Sequence, residues 1–255
     1  MSRYDLLIED AGPKGSLVHV PAFPGLCFRT TSQEDPSKVA ASRVVDYVRW
    51  LASEGRADLS PMIEELANGL EQEETFDLRF IVAEHVAGAP VWESGNAAVL
   101  FDRDLYPLQD PDVRSHLQLA QIVFAAIRRQ VESLSEQTRT WKPTQGRRSI
   151  DETLEHLGNC VWWYCSRIDD ALPEPETVLG EDLLDRIDRF LDIAESFLLG
   201  VPFSERDAVS IPRRFLTKDS NERWTHAKVC RREAEHAWAH LRGLQAVVHV
   251  SILDR

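Results

Sequence analysis

Val-Cys-Arg-Arg-Glu-Ala-Glu-His-Ala-Trp-Ala-His-Leu-Arg-Gly-Leu-Gln-Ala-Val-Val, residues 229–248, carries His236 and His240 four positions apart. On a helix of 3.6 residues per turn that spacing leaves the two Cβ atoms about 40° apart around the axis and one turn above each other. Two imidazoles so placed can share one metal ion at about 2.1 Å, yet they supply only two ligands. The third is His156, in Thr-Leu-Glu-His-Leu-Gly-Asn-Cys-Val-Trp-Trp-Tyr, about eighty residues upstream. Glu233 falls about 60° from His236 and about 20° from His240 around the same axis, where it can orient a ligand or accept a proton. Cys160, four residues after His156, shares its face; it reads either as a fourth ligand or as a small buried hydrophobe.

The segments around these residues are helical. Residues 112–139 carry Val113, Leu117, Ala120, Val123, Phe124, Ile127, Val131 and Leu134 at three- and four-residue steps. Thr140 to Gly146 reads as a loop. Ser149 and Glu152 form a capping box that opens a second helix, predicted to run through Trp162, Trp163 and Ile168 to Leu172 and to stop before Pro173. A third helix is predicted over 181–198, and Pro202 to Arg223 reads as a long polar connection. Thr225 caps the fourth helix, which is expected to reach about Ser251. Four long helices with long crossings predict an all-α up-down four-helix bundle over residues 109–255, with helices two and four side by side.

Residues 1–108 read differently. Residues 4–9 and 16–20 predict two short strands separated by a Gly/Pro turn, and Leu26 to Thr31 predicts a third. Pro21 and Pro24 remove ladder donors, so the chain near Phe23 leaves the sheet. A helix follows from Ser32–Pro36 to Gly55, a shorter one over 59–73 from Ser60-Pro61, and an alternating strand from Thr75 to Val86 (Phe76, Leu78, Phe80, Val82). Ala97 to Phe101 reads as another strand, and the linker Tyr106–Pro111 as the domain boundary. The fold class is therefore an α+β domain followed by a helical bundle.

The chain has 255 residues and a formal charge of −13, which favours solubility and argues against binding a nucleic-acid backbone. Arg147-Arg148, Arg213-Arg214 and Arg231-Arg232 can contact an anion locally, but read first as surface charges. Four cysteines, Cys27, Cys160, Cys165 and Cys230, show neither a Cys-x-x-Cys pair nor a disulfide framework. With no signal-like or membrane-spanning apolar run, the expected setting is the reducing cytoplasm. No phosphate-binding Gly loop, dinucleotide fingerprint, Gly-x-Ser-x-Gly elbow or His-Glu-x-x-His motif occurs. Trp162, Trp163, Trp224 and Trp238 read as core or pocket wall, and His226 as a first-turn surface residue or one near the pocket mouth.

Two stretches resemble known families. Val-Pro-Ala-Phe-Pro-Gly-Leu-Cys (residues 20–27), followed by polar residues and an Ala-rich amphipathic helix, resembles the HicB-like antitoxin fold over roughly residues 3–53. The resemblance implies a small sheet packed on a helix, with a dimerising or accessory role; Arg29-Thr30-Thr31-Ser32 departs from the family's Gly-Asp-Thr. His156-Leu157 with Trp162-Trp163-Tyr164, and Trp224-Thr225-His226-Ala227-Lys228-Val229 through Arg231-Arg232 to His236-x-x-x-His240 and Gln245, resemble the DinB/YfiT-like superfamily of four-helix-bundle metalloproteins over approximately 110–250. That resemblance implies a divalent ion, commonly zinc or nickel, on His156, His236 and His240. It further implies a thiol-dependent S-transferase or isomerase that uses a low-molecular-weight thiol, here a transferase acting on a small-molecule electrophile; the charge and the lack of an apolar span separately predict neither nucleic-acid nor membrane binding, and a homodimer is the expected assembly. Non-catalytic alternatives are a metal-braced binding or dimerisation module and a HicB-like regulator.

Overall fold

The computed structural model describes residues 2–73, 76–88, 95–142, 147–176, 178–213 and 221–253. Thr75, residues 143–146 of the first loop and 214–220 of the polar connection, with Arg214, lie outside the described residues. The chain divides into two compact units, Met1–Phe101 and Asp102–Arg255. The division falls upstream of the boundary read at Leu108. The cause is Asp104, whose carboxylate takes hydrogen bonds of 2.9 and 2.7 Å from Arg231, and whose carbonyl takes one from Thr225 at 2.5 Å. Those bonds tie Asp102–Leu105 to the helical unit.

In the first unit, β1 (Ser2–Asp10), β2 (Ser16–His19), β3 (Cys27–Thr30) and β4 (Leu78–Ala87) form one mixed sheet in the order β3-β2-β1-β4. β1 pairs antiparallel with β2 and parallel with β4, and β2 pairs antiparallel with β3. The consecutive run Leu6, Leu7, Ile8 in β1 is buried throughout, as befits a central strand covered on both faces. Helices α1 (Pro36–Ser53) and α2 (Pro61–Glu71) begin at the Asp35 and Ser60 caps, each followed by Pro. α1 packs on the sheet through Ala40, Val44, Tyr47, Val48 and Leu51, and the Tyr47 hydroxyl donates to the Pro24 carbonyl at 2.6 Å. Between Val20 and Leu26 the chain turns through bonds from Phe23 N–H to Val20 and from Leu26 N–H to Phe23, so the two prolines leave the ladder as expected.

Two expectations for this unit are corrected. Ala83 is inserted between the pairs Leu6–Val82 and Leu7–Glu84; the alternation breaks there and Val82 stays 46% exposed. Ala97–Phe101 is no strand. Asn96 turns the chain by accepting from Ala98 N–H at 2.7 Å, while Val99 and Phe101 pack on Leu7 as an irregular segment. A buried pair secures that segment: His19 Nε2 lies 3.2 Å from Glu9 Oε1, and Glu9 Oε2 accepts from Asn96 N–H at 2.5 Å.

The second unit contains α3 (Asp110–Glu132), the short α4 (Glu136–Thr140), α5 (Ile150–Cys165), α6 (Leu183–Gly200) and α7 (His226–Leu253). Among the long helices, α3 contacts α7, α7 contacts α5, α5 contacts α6 and α6 contacts α3. Buried aliphatic positions line these contacts: Val123 and Ile127 on α3, Leu154, Leu157 and Val161 on α5, Ile187 and Leu198 on α6, Val229 and Leu241 on α7. Two helix ends differ from the sequence reading. The first stops at Glu132, because Ser135 accepts from Thr138 N–H and starts a new helix. The second stops at Cys165, where Ser166 and Arg167 turn their side chains back to the Trp163 carbonyl. No helix among the described residues is long and apolar enough to cross a membrane.

Candidate metal centre

The helix that carries His156 starts at Ser149, whose hydroxyl accepts from Glu152 N–H at 3.2 Å while the Glu152 carboxylate accepts from Ser149 N–H at 2.9 Å. From that fixed start, Leu154, Leu157 and Val161 turn inward, and His156 and Cys160 fall together at the edge of the buried stripe. Gly158 lets α6 come close: a Cβ there would lie 3.3 Å from Ile187 Cγ1. The helix that carries His236 and His240 starts at Thr225, whose hydroxyl accepts from Lys228 N–H at 3.2 Å.

α5 and α7 bring the three imidazoles together. Ring centroids lie 5.2 Å apart for His156 and His236, 5.2 Å for His156 and His240, and 4.5 Å for His236 and His240. His240 Nε2 is 3.1 Å from His236 Nε2. Cys160 Sγ is 3.6 Å from both ring nitrogens of His156. His156, Cys160 and His236 each offer a ligand atom, all within 4.8 Å of one another. These three form a possible metal-binding group, in which Cys160 stands where the sequence reading had His240.

The electrostatics suit that role. Burial above all, then the neighbouring His240 and His156 rings and the Arg232 and Arg148 guanidiniums, hold the His236 imidazole well below its usual range. It is therefore neutral at pH 7 and presents a lone pair, the form a metal requires. Nitrogen and thiol donors of this kind match the borderline-soft preference of zinc, and imidazole also suits nickel. The donor set fits such an ion.

Glu233 is placed differently. It is buried, burial pushes its carboxyl up to about 8, and Oε2 has no hydrogen-bond partner. Its carboxyl acts on the thiols of Cys165 and Cys230, and among the described residues no hydrogen bond joins it to the three imidazoles. At pH 7 the side chain is mostly protonated, so it is a proton donor before it can be an acceptor.

Around the group, Tyr164 sets its ring edge-on to His236 at 5.7 Å, and Trp224 meets Trp163 at 5.4 Å and Tyr164 at 5.8 Å. Of the four tryptophans read as core or pocket wall, Trp224 and Trp238 are buried and Trp162 and Trp163 are half-buried. His156 borders a cavity of about 460 Å³ whose other lining residues are Lys142, Arg147, Arg148, Glu152, Glu155 and Asn159. Arg147 and Arg148, read first as surface charges, are exposed here, and both line this cavity.

Two readings are corrected here. His226 is not a surface residue: it is 2% exposed, with Nε2 2.8 Å from the Leu198 carbonyl at the end of α6, and it lines a separate cavity of about 650 Å³ with Phe197 and Val201. Arg231 and Arg232 are not solubility charges either. Both are buried, Arg231 against Asp104 and Glu235, and every residue from Trp224 to Trp238 is buried.

No protein-family model matches the chain, and no curated protein or solved structure matches it.

Proposed function

We propose that the second unit is a DinB-like up-down four-helix bundle that holds a divalent ion, zinc or nickel, on His156, His236 and His240. In this reading it is a metal-dependent S-transferase that joins a low-molecular-weight thiol to a small electrophile. The observation that carries the reading is the convergence of three imidazoles from α5 and α7 with centroids 4.5 to 5.2 Å apart. Once bound, a divalent ion would hold a thiol as thiolate near pH 7, because a coordinated thiol loses its proton.

The chain's own residues do the rest. The buried, neutral His236 offers its lone pair without first losing a proton. The cavity beside His156 carries both signs of charge, Lys142, Arg147 and Arg148 with Glu152 and Glu155, and so suits a polar cosubstrate. Trp224, Trp163 and Tyr164 keep water from the inner side of His236. Glu233, with a carboxyl titrating at about 8, can release or hold one proton near neutral pH from within the core.

The first unit we read as a HicB-like accessory domain that dimerises the chain, a role its small mixed sheet and helices support. That no disulfide joins the cysteines among the described residues supports a reducing, cytoplasmic setting.

The test is His156→Ala, with metal content, turnover on a panel of thiols and electrophiles, and melting temperature measured together. The variant is expected to lose bound metal by more than the roughly 10–100-fold that loss of an outer supporting contact costs. It is also expected to lose turnover while staying folded. Loss of melting temperature alone, with no thiol consumed by the metal-loaded wild type, would replace the transferase with a metal-braced binding module.

A further inference from the structure

We infer that the cavity lined by His226 is a second small-molecule site of the helical unit, and that it takes an organic cation: an amine with a short alkyl or aryl body. The inference does not depend on the metal reading. His226 precedes His236 by ten residues of α7, about 15 Å along the helix axis, so the two sites are separate.

The cavity holds about 650 Å³, a volume within the range of small-molecule sites. Its apolar lining comes from Ile168 just after α5, Phe197 and Val201 at the end of α6, and Val209, which stays 41% exposed. Such a wall suits an apolar body of a few carbons or one ring.

The charges around it have one sign. Asp169 and Glu205 line the cavity, and no lysine or arginine does. Among the described residues neither carboxylate has an ion-pair partner; that of Asp169 accepts one hydrogen bond, from Ala171 N–H at 2.8 Å. Cations nearby in the chain are engaged elsewhere. Arg206 is buried, with its guanidinium on the Val201 and Leu108 carbonyls and the Asp110 carboxylate, and Arg213 pairs with Asp170. His226 adds no positive charge. The Leu198 carbonyl can only accept, so Nε2 carries the proton, and burial above all holds the imidazole below its usual range.

The backbone favours the same occupant. Gly200 ends α6 and lines the cavity, and helix carbonyls leave partial negative charge at such an end. The last turn of α6 has no basic residue to balance it. An ammonium complements this lining: it meets the carboxylates of Asp169 and Glu205 while its body lies on the apolar wall. A carboxylate of the same size would bring like charge toward both.

The experiment titrates the full chain, metal-free and zinc-loaded, with 2-phenylethylammonium, 3-phenylpropionate and 2-phenylethanol, which share one body and differ in charge. Amide shifts in the NMR spectrum follow binding. The ammonium is expected to bind about fivefold or more tightly than the carboxylate in both forms of the chain, with shifts centred on residues 196–201 and 208–210. Asp169→Asn combined with Glu205→Gln, both at exposed positions, should bring the ammonium to the affinity of the alcohol and leave zinc content unchanged. No binding of the ammonium, equal affinity for all three probes, tighter binding of the carboxylate, an ammonium affinity unchanged in the double variant, or shifts centred on His156 and His236 would each overturn the inference. A chain that takes the ammonium but binds no zinc supports this site and overturns the metal reading alone.

Discussion

Glu233 sits in the core beside two thiols with one carboxylate oxygen unpartnered, and burial alone lifts its carboxyl to about 8 from an ordinary value of 4.5. A carboxyl whose folded value is raised contributes stability that is complete below its unfolded value and is lost as pH rises through the folded one. The window here runs from about 4.5 to about 8. Across it, metal-free wild type is expected to lose up to about 1.4 kcal/mol of stability per pH unit relative to Glu233→Gln, which cannot ionise. Denaturant unfolding of the two proteins at several pH values measures the difference; parallel curves would show that Glu233 is ionised in the fold. At the same scale, the spacing of His236 and His240 and the choice of His156 were legible in the sequence. The side on which Glu233 lies was not. An angle around a helix axis places a residue relative to its own helix, but the thiols that Glu233 meets come from both its own helix and α5, and only packing decides that.

The start of α5 was readable because a capping box is a local device: Ser149 and Glu152 satisfy each other's N–H groups without help from the rest of the chain. Ser149→Ala is expected to cost the helical unit about 1 kcal/mol, read by denaturant unfolding. Because His156 lies two turns further in, the variant should weaken metal binding by less than tenfold; a larger loss would mean that the cap positions His156 directly. Helix ends were less legible. Ile168 and Leu172 continue an apolar period past Cys165, yet the chain leaves the helix because Ser166 and Arg167 turn back on the Trp163 carbonyl, an interaction that periodicity does not register. Ala97–Phe101 failed as a strand for a related reason. Its apolar residues mark burial on Leu7, and burial is common to strands and irregular segments alike.

At the scale of the whole molecule, all the proposed donors belong to the unit that begins at Asp102, and none to the sheet of β1–β4. Free zinc at about 100 times its dissociation constant should therefore stabilise the helical unit by about 2.7 kcal/mol. Hydrogen exchange resolved by segment is the suitable measurement. Amides in α5 and α7 should slow on adding zinc, while those in β1, β2 and β4 keep their rates; uniform slowing would mean that the units do not unfold separately. The two-part division was visible in the sequence as a change from alternating to helical periodicity. The exact residue was not, because Asp104 belongs to the helical unit through a side chain and a carbonyl that bond α7 more than a hundred positions away.

The first half of α7 buries the ionic side chains of Lys228, Arg231, Arg232 and Glu235. A hydropathy profile would score that stretch as an outer face of the protein, and a substitution table would treat its ionic positions as freely variable. The structure reverses both readings. An ion removed from water needs its partner in place, so turning or sliding this helix by one residue would strand several charges at once. The bond from Arg231 to Asp104 thereby ties the rotation of α7, and with it the direction of His236 and His240, to the segment Asp102–Leu105, a task that interchangeable aliphatic residues would perform with less discrimination.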